Sequence, residues 1–129
     1  MEPAPRADDP ACAEVIARLP ESIDGQQRVW TDAQSTGAWG ESSPVQLTCG
    51  FPPLDPTTLP CVTVDNVDWV IDDSNAPRYV LRSYGRDPAV ELYLNTEVVS
   101  SRDALEALGL YVNYLSSTGR RCISSDADL

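Results

Sequence analysis

Four cysteines spread over 129 residues constrain this chain more than any other feature of its sequence. Cys12, Cys49, Cys61 and Cys122 are even in number and widely spaced in a small acidic chain. That is the pattern of structural disulfides formed in an oxidising compartment. No two are spaced Cys-x-x-Cys, which argues against a thioredoxin-like redox centre. Without histidine, a zinc site would need all four thiolates, and structural zinc sites bring close pairs that this chain lacks. No metal or other cofactor is therefore expected. Four cysteines allow three connectivities. Cys12–Cys49 with Cys61–Cys122 is favoured, tying an N-terminal helix to a strand and a strand to the C-terminal tail. Each bond would contribute about 4 kcal/mol through lost unfolded-chain entropy, less any strain. Cys49–Cys61 with Cys12–Cys122 stays open, because the segment from Gly50 to Pro60 reads as a loop that returns locally.

What is missing narrows the chemistry. There is no histidine, and all nine basic residues are arginine. A Ser/His/Asp or Cys/His centre, a Ser/Lys dyad and a Schiff-base lysine are excluded within the chain. A carboxylate pair of the glycosidase kind is not, since there are 20 acids, though nothing singles out two of them. The net charge of −11 repels phosphate backbones and anionic membranes, so nucleic acid is not an expected partner. No stretch approaches the roughly 18 to 20 apolar residues that span a bilayer. The chain opens Met1-Glu2-Pro3-Ala4-Pro5, acidic and proline-rich where an export signal would be basic and then apolar. The disulfide reading therefore implies that a signal or anchor has been removed, with Met1 an added start.

Local patterns place the elements. Residues 1–8 read as a disordered tail. Asp9-Pro10 opens a helix, with aspartate as N-cap and proline in the first turn, and Cys12, Val15, Ile16 and Leu19 follow at helical spacing. Gln27 to Trp30 is a short strand candidate. Residues 31–44, rich in Ser, Thr and Gly, read as a loop that leaves Trp39 the most exposed of the three tryptophans. Val45, Leu47 and Cys49 alternate toward the core, and the prolines of 50–60 preclude regular structure. Cys61–Val64 and Val67–Ile71 form a hairpin through Asp65-Asn66, with Val67, Trp69 and Ile71 on one face. Residues 72–77 read as a polar loop. Arg78–Tyr84 and Ala89–Leu94 form a second hairpin around Gly85-Arg86-Asp87-Pro88, with Val90, Leu92 and Leu94 inward and Glu91 and Tyr93 outward. A final helix begins at Ser100 or Ser101, buries Leu105, Leu108, Val112 and Leu115, and stops at Gly119 with Arg120-Arg121 near its negative end.

The expected fold is α+β: a mostly antiparallel sheet of about five to six short strands packed against an N-terminal and a C-terminal helix, stapled by disulfides. The expected organisation is one globular domain over residues 9–123, between disordered tails at 1–8 and 124–129. A candidate binding constellation combines Asp68, Trp69, Tyr84 and Arg86, where a carboxylate, an indole, a phenol and a guanidinium converge at one end of adjacent strands. Trp39 joins it as the exposed indole. That mixture binds peptides or sugars by stacking and forked hydrogen bonds. The plainer alternative packs Trp69 in the core and pairs Arg86 with Asp68 or Asp87. Asp72-Asp73-Ser74-Asn75 offers oxygen ligands, but lacks the glycine and closing glutamate of a calcium loop and reads as a solvated turn.

Taken in order, Cys12 to Leu19-Pro20, Ala38-Trp39-Gly40, Leu47-Thr48-Cys49-Gly50, Val67-Asp68-Trp69 and Tyr84-Gly85-Arg86 resemble the actinobacterial family catalogued as domain of unknown function 3515. The resemblance covers roughly residues 10–118, and the absent lysine suits a high-GC genome. It implies an exported protein facing the cell envelope through a signal, lipid anchor or membrane segment, with no established activity. Cys12 and Cys49 match the family's cysteine positions, which supports pairing them. Cys61 and Cys122 are additions, which implies that they bond to each other. Asp65-Asn66 departs from the family's glycine-containing turn, and Asn95 from its proline. The resulting expectation is a monomeric, non-catalytic envelope module that binds an envelope protein or cell-wall component. An envelope hydrolase with paired carboxylates and a purely structural spacer are the alternatives.

Overall fold

The structure, a computed structural model, describes residues 1–122. Helix α1 (Pro10–Arg18) starts as the sequence dictates: the Asp9 carboxylate accepts the Ala11 N–H at 2.9 Å, and Pro10 occupies the first turn. Strands β1 (Ser22–Ile23), β2 (Gln26–Val29), β3 (Thr36–Trp39) and β4 (Val45–Phe51) follow. Then come β5 (Cys61–Val64), β6 (Val67–Asn75), β7 (Arg78–Tyr84), β8 (Arg86–Asp87) and β9 (Ala89–Asn95). Helix α2 (Ser101–Val112) and the short β10 (Ser116–Ser117) complete the order.

The main sheet has eight strands in the order β1-β2-β3-β4-β9-β7-β6-β5, all paired antiparallel. β8 and β10 form a separate antiparallel pair. The α+β architecture with two helices and two disulfides is as expected, but the sheet is larger than the five to six strands anticipated. The register explains how it coheres. Gly37, Leu47, Leu92, Leu81 and Ile71 lie in one cross-strand row over five strands, and the four side chains beyond Gly37 are buried. Because side chains alternate along a strand, the residues two positions away, such as Val45 and Leu94, or Trp69, share that face. The face carries the core, closed by Cys12, Val15 and Leu19 at α1 and by Leu105, Leu108 and Val112 of α2. Fully burying one such aliphatic side chain stabilises the fold by about 1.5–3 kcal/mol.

The differences from the sequence reading have local causes. Residues 36–39 form β3 rather than loop, because the segment adds to the edge of β4 in full register. The small Gly37 fits there: a Cβ at that position would lie 2.8 Å from Leu19 Cδ1. β6 runs to Asn75, extending a polar hairpin arm whose last four residues are exposed. The Asp65-Asn66 turn takes φ of 49° and 69° at its two residues, as a tight hairpin requires. Helix α2 is capped by Ser100, whose hydroxyl accepts the Asp103 N–H at 3.3 Å, and it ends at Val112, well before Gly119. The chain then extends, and Ser116–Ser117 pairs with β8.

Both favoured disulfides are present. Cys12–Cys49 ties α1 to β4 across 37 residues with a Cα separation of 5.6 Å, and both cysteines are fully buried. Cys61–Cys122 ties β5 to the segment after β10, with a Cα separation of 6.0 Å, and is half-buried. Residues 4–7, assigned to a disordered tail from sequence, are packed on the sheet. Ala4 and Ala7 are buried, and the Arg6 amide donates to the Gly50 carbonyl at 2.8 Å. Gly50 permits that approach, since a Cβ there would lie 2.6 Å from the Arg6 backbone. The Ser35 hydroxyl donates to the Ala7 carbonyl from the other side. The expected tail at 124–129 lies outside the described residues.

Candidate functional site

The constellation expected from sequence divides in two. Asp68, Tyr84 and Arg86 come together; Trp39 and Trp69 do not join them. Both indoles are fully buried, so the exposure expected for Trp39 is corrected. Trp39 closes β3, where pairing with β4 turns it into the core and its Nε1 donates to the Pro20 carbonyl at 2.9 Å. Trp69 projects from β6 into the same core, and its Nε1 has no hydrogen-bond partner among the described residues.

Arg86 occupies the start of β8, beneath the end of α2. Its Nη1 donates to the carbonyls of Asn113 at 3.1 Å and Leu115 at 2.9 Å. Its Nη2 donates to the Asn66 carbonyl at 3.2 Å and the Asn113 Oδ1 at 2.6 Å. A guanidinium suits this place, because the carbonyl of the C-cap Asn113 and that of Leu115 just beyond lie at the negative end of α2. The sequence had placed Arg120-Arg121 near that end; Arg86 makes the contacts instead. Burial pushes the Arg86 pKa down, with Asp68 opposing that shift and Arg121 adding to it.

Asp68 is equally committed. Thr63 Oγ1 donates to its Oδ1 at 2.5 Å, and the Cys122 amide donates to its Oδ2 at 2.9 Å. Asp87, the other expected partner of Arg86, is instead bonded to Arg6 at 2.9 Å. Gly85 completes the cluster: its carbonyl accepts the Thr118 amide at 2.9 Å, and any Cβ on it would collide with the Arg120 carbonyl. The cleft between Asn66, Tyr84 and Arg120 has a volume of about 20 Å³, room for about one water. This cluster fastens the C-terminal segment to the sheet and leaves little space or bonding capacity for a ligand.

A different indole is open. Trp30, one residue past the end of β2, is 86 % exposed. It borders a groove of about 390 Å³ formed with Ile16, Glu21, Arg28, Thr31 and Ala33, among others. The groove's walls are fixed from several elements. The Arg28 amide donates to the Glu21 carbonyl at 2.7 Å, and the Arg28 Nη2 donates to the Ile16 carbonyl at 3.4 Å. At the far wall the Thr31 and Thr36 hydroxyls lie 2.8 Å apart, and Thr36 donates to the Ala33 carbonyl at 2.6 Å. Sequence reading missed Trp30 because strand candidates usually bury their aromatics. The polar Thr31-Asp32 that follows it is a weak sign that the strand has ended.

Residues 1–117 match the family described as Protein of unknown function (DUF3515). The chain belongs to that family. No curated protein and no solved structure matches it. In this DUF3515 member the match includes Trp30 and Arg86, while Arg120, Arg121 and Cys122 lie beyond it. Its two disulfides are compatible with an extracytoplasmic location. No helix among the described residues is long and apolar enough to cross a membrane. Among the described residues no group of three or more acids and cysteines converges as a metal would require. At the loop considered for calcium, Asp72 has its pKa lowered by the Ser74 side chain and then by the Ser74 amide, which it accepts at 3.0 Å.

Proposed function

We propose that this chain is a non-catalytic interaction module of the cell envelope, exported or anchored there, acting as a monomer through the groove beside Trp30. The observation that carries the reading is the exposure of a whole indole next to a groove whose walls are hydrogen-bonded in place. Exposed aromatics on a rigid support supply large contact area at low entropic cost, which is why they concentrate at recognition surfaces. The disulfides support the location, since such bonds persist outside the reducing cytosol.

The paired-carboxylate hydrolase has weaker support. One described cleft, of about 480 Å³, holds two acids, Glu2 and Glu91. Glu91, however, is ion-paired with Arg82 at 2.7 Å, and Arg82 in turn stacks over the Phe51 ring at 4.8 Å. A carboxylate held this way is a structural partner before it is a nucleophile or general base. The test of the proposal is affinity capture from cell-envelope extract with the wild-type chain and with Trp30→Ala. A captured component that disappears with the variant, at unchanged melting temperature, supports the proposal. Identical captured components from both would overturn it.

A further inference from the structure

We infer that the Trp30 groove takes a neutral saccharide, the indole serving as the stacking platform for a pyranose ring; this rests on the reading of the groove as the recognition surface. Four observations select that ligand. First, Trp30 is the single large exposed hydrophobic residue of the groove among the described residues: Met1, Leu59, Val98, Leu110 and Tyr114, the other exposed ones, are not in its lining. Protein partners and membranes are met by contiguous apolar patches, which one isolated indole does not make. A sugar ring needs one aromatic face for its C–H side and polar groups around its hydroxyls.

Second, those polar groups are present. The Glu21 carboxylate has no hydrogen bond or ion pair among the described residues, so both oxygens are free to accept from hydroxyls. Arg28 spends one Nη2 donor on the Ile16 carbonyl and keeps the rest of its fork. An unspent acceptor and an unspent donor thus belong to residues that line the same groove as the indole. Third, the volume of about 390 Å³ lies inside the ~300–1,000 Å³ of small-ligand sites and leaves one side open, as a chain that enters and leaves the groove requires. Fourth, the net charge of −11 disfavours polyanionic wall polymers and anionic phospholipid surfaces, and leaves uncharged glycans unopposed.

The experiment is a tryptophan-fluorescence titration of the full chain with β-1,4-linked N-acetylglucosamine tetramer. Trp39 and Trp69 are buried, so a change of emission on binding reports Trp30. The expected result is a saturable blue shift or quench for the wild type. Isothermal titration should show at least a tenfold weaker affinity for Trp30→Ala and Glu21→Gln, while Trp30→Tyr retains most of it. Cellotetraose and mannotetraose serve as arms for other uncharged pyranose sugars, and a saturable, Trp30-dependent response to any of the three supports the inference. Absence of binding to all three, with an envelope protein still captured through Trp30, would overturn the saccharide and leave the recognition surface standing. Absence of binding together with capture indifferent to Trp30 would overturn both. Binding to phosphatidylcholine vesicles in place of the sugars would contradict the saccharide.

Discussion

The Arg86 cluster and the Trp30 groove are opposite in what they advertise and what they hold. The cluster combines an acid, a phenol and guanidinium groups within reach of one another, the residue types of a recognition site. Yet Arg86 spends its two Nη nitrogens on four acceptors of its own chain, and both Asp68 oxygens are likewise engaged. The groove advertises only an unremarked tryptophan at a strand end, but its indole, an acid and part of an arginine fork are unspent. Reactive-looking residue types do not make a site when their bonds are already made within the fold. A half-buried charge whose donors or acceptors are spent within its own chain has few left for a ligand.

The largest effect separating the two regions should come from the bond that fastens the cluster. Replacing Cys61 and Cys122 together by serine frees a 61-residue separation and removes about 4 kcal/mol by the loss of chain constraint. Urea unfolding should report that loss, while the affinity of Trp30 for its ligand stays within twofold. Since this bond is half-buried and Cys12–Cys49 fully buried, graded reduction followed by alkylation mapping should open Cys61–Cys122 first.

Next in size is Arg86→Ala, expected to lower stability by about 2 kcal/mol by removing the bonds to Leu115, Asn113 and Asn66, which water replaces only in part. Arg86→Lys should recover less than half, because an ammonium cannot reproduce the planar fork. Equal binding losses for Arg86→Lys and Trp30→Ala, at equal fractions folded, would erase the distinction between the regions.

The two buried indoles give a smaller contrast. Trp39→Phe removes a bond to the Pro20 carbonyl and strands that acceptor; Trp69→Phe removes an N–H with no partner among the described residues. The first should therefore cost about 1–2 kcal/mol more than the second in matched denaturation curves.

The core was legible where alternation was clean. Val45, Leu47 and Cys49, then Val67, Trp69 and Ile71, then Val90, Leu92 and Leu94 all face inward as period-two spacing dictates. The Asp9-Pro10 start of α1 and the Asp65-Asn66 turn are local signals, and each acts within a few residues. What escaped reading depends on distant contacts. Thr36–Trp39 is a strand because β4 is beside it and Leu19 lies over Gly37; nothing in Ser-Thr-Gly composition announces that. Residues 4–7 are ordered by Gly50 and Ser35, far along the chain. The exposures of Trp30 and Trp39 were exchanged for the same reason, since a tryptophan between glycine and alanine looks loose until its neighbouring strand is known.

The smallest effect concerns acid. Asp9 has its pKa lowered by the Ala11 amide and by Arg6, which itself bridges to Asp87 beside Arg86. A carboxylate with a lowered folded pKa contributes stability above its unfolded value, and that contribution disappears as pH falls from roughly pH 4 through the folded value. Asp9→Asn keeps a capping side chain without the titration. Its melting temperature should decline less steeply than the wild type's below about pH 4, with the two curves parallel near neutrality.

The most direct measurement of where recognition lies is photo-crosslinking in intact envelope, with p-benzoylphenylalanine placed at Trp30 or, separately, at Tyr84. The account predicts a discrete adduct from position 30 and none above background from position 84. Adducts from position 84 with none from position 30 would contradict it and return the Arg86 cluster to the centre of function.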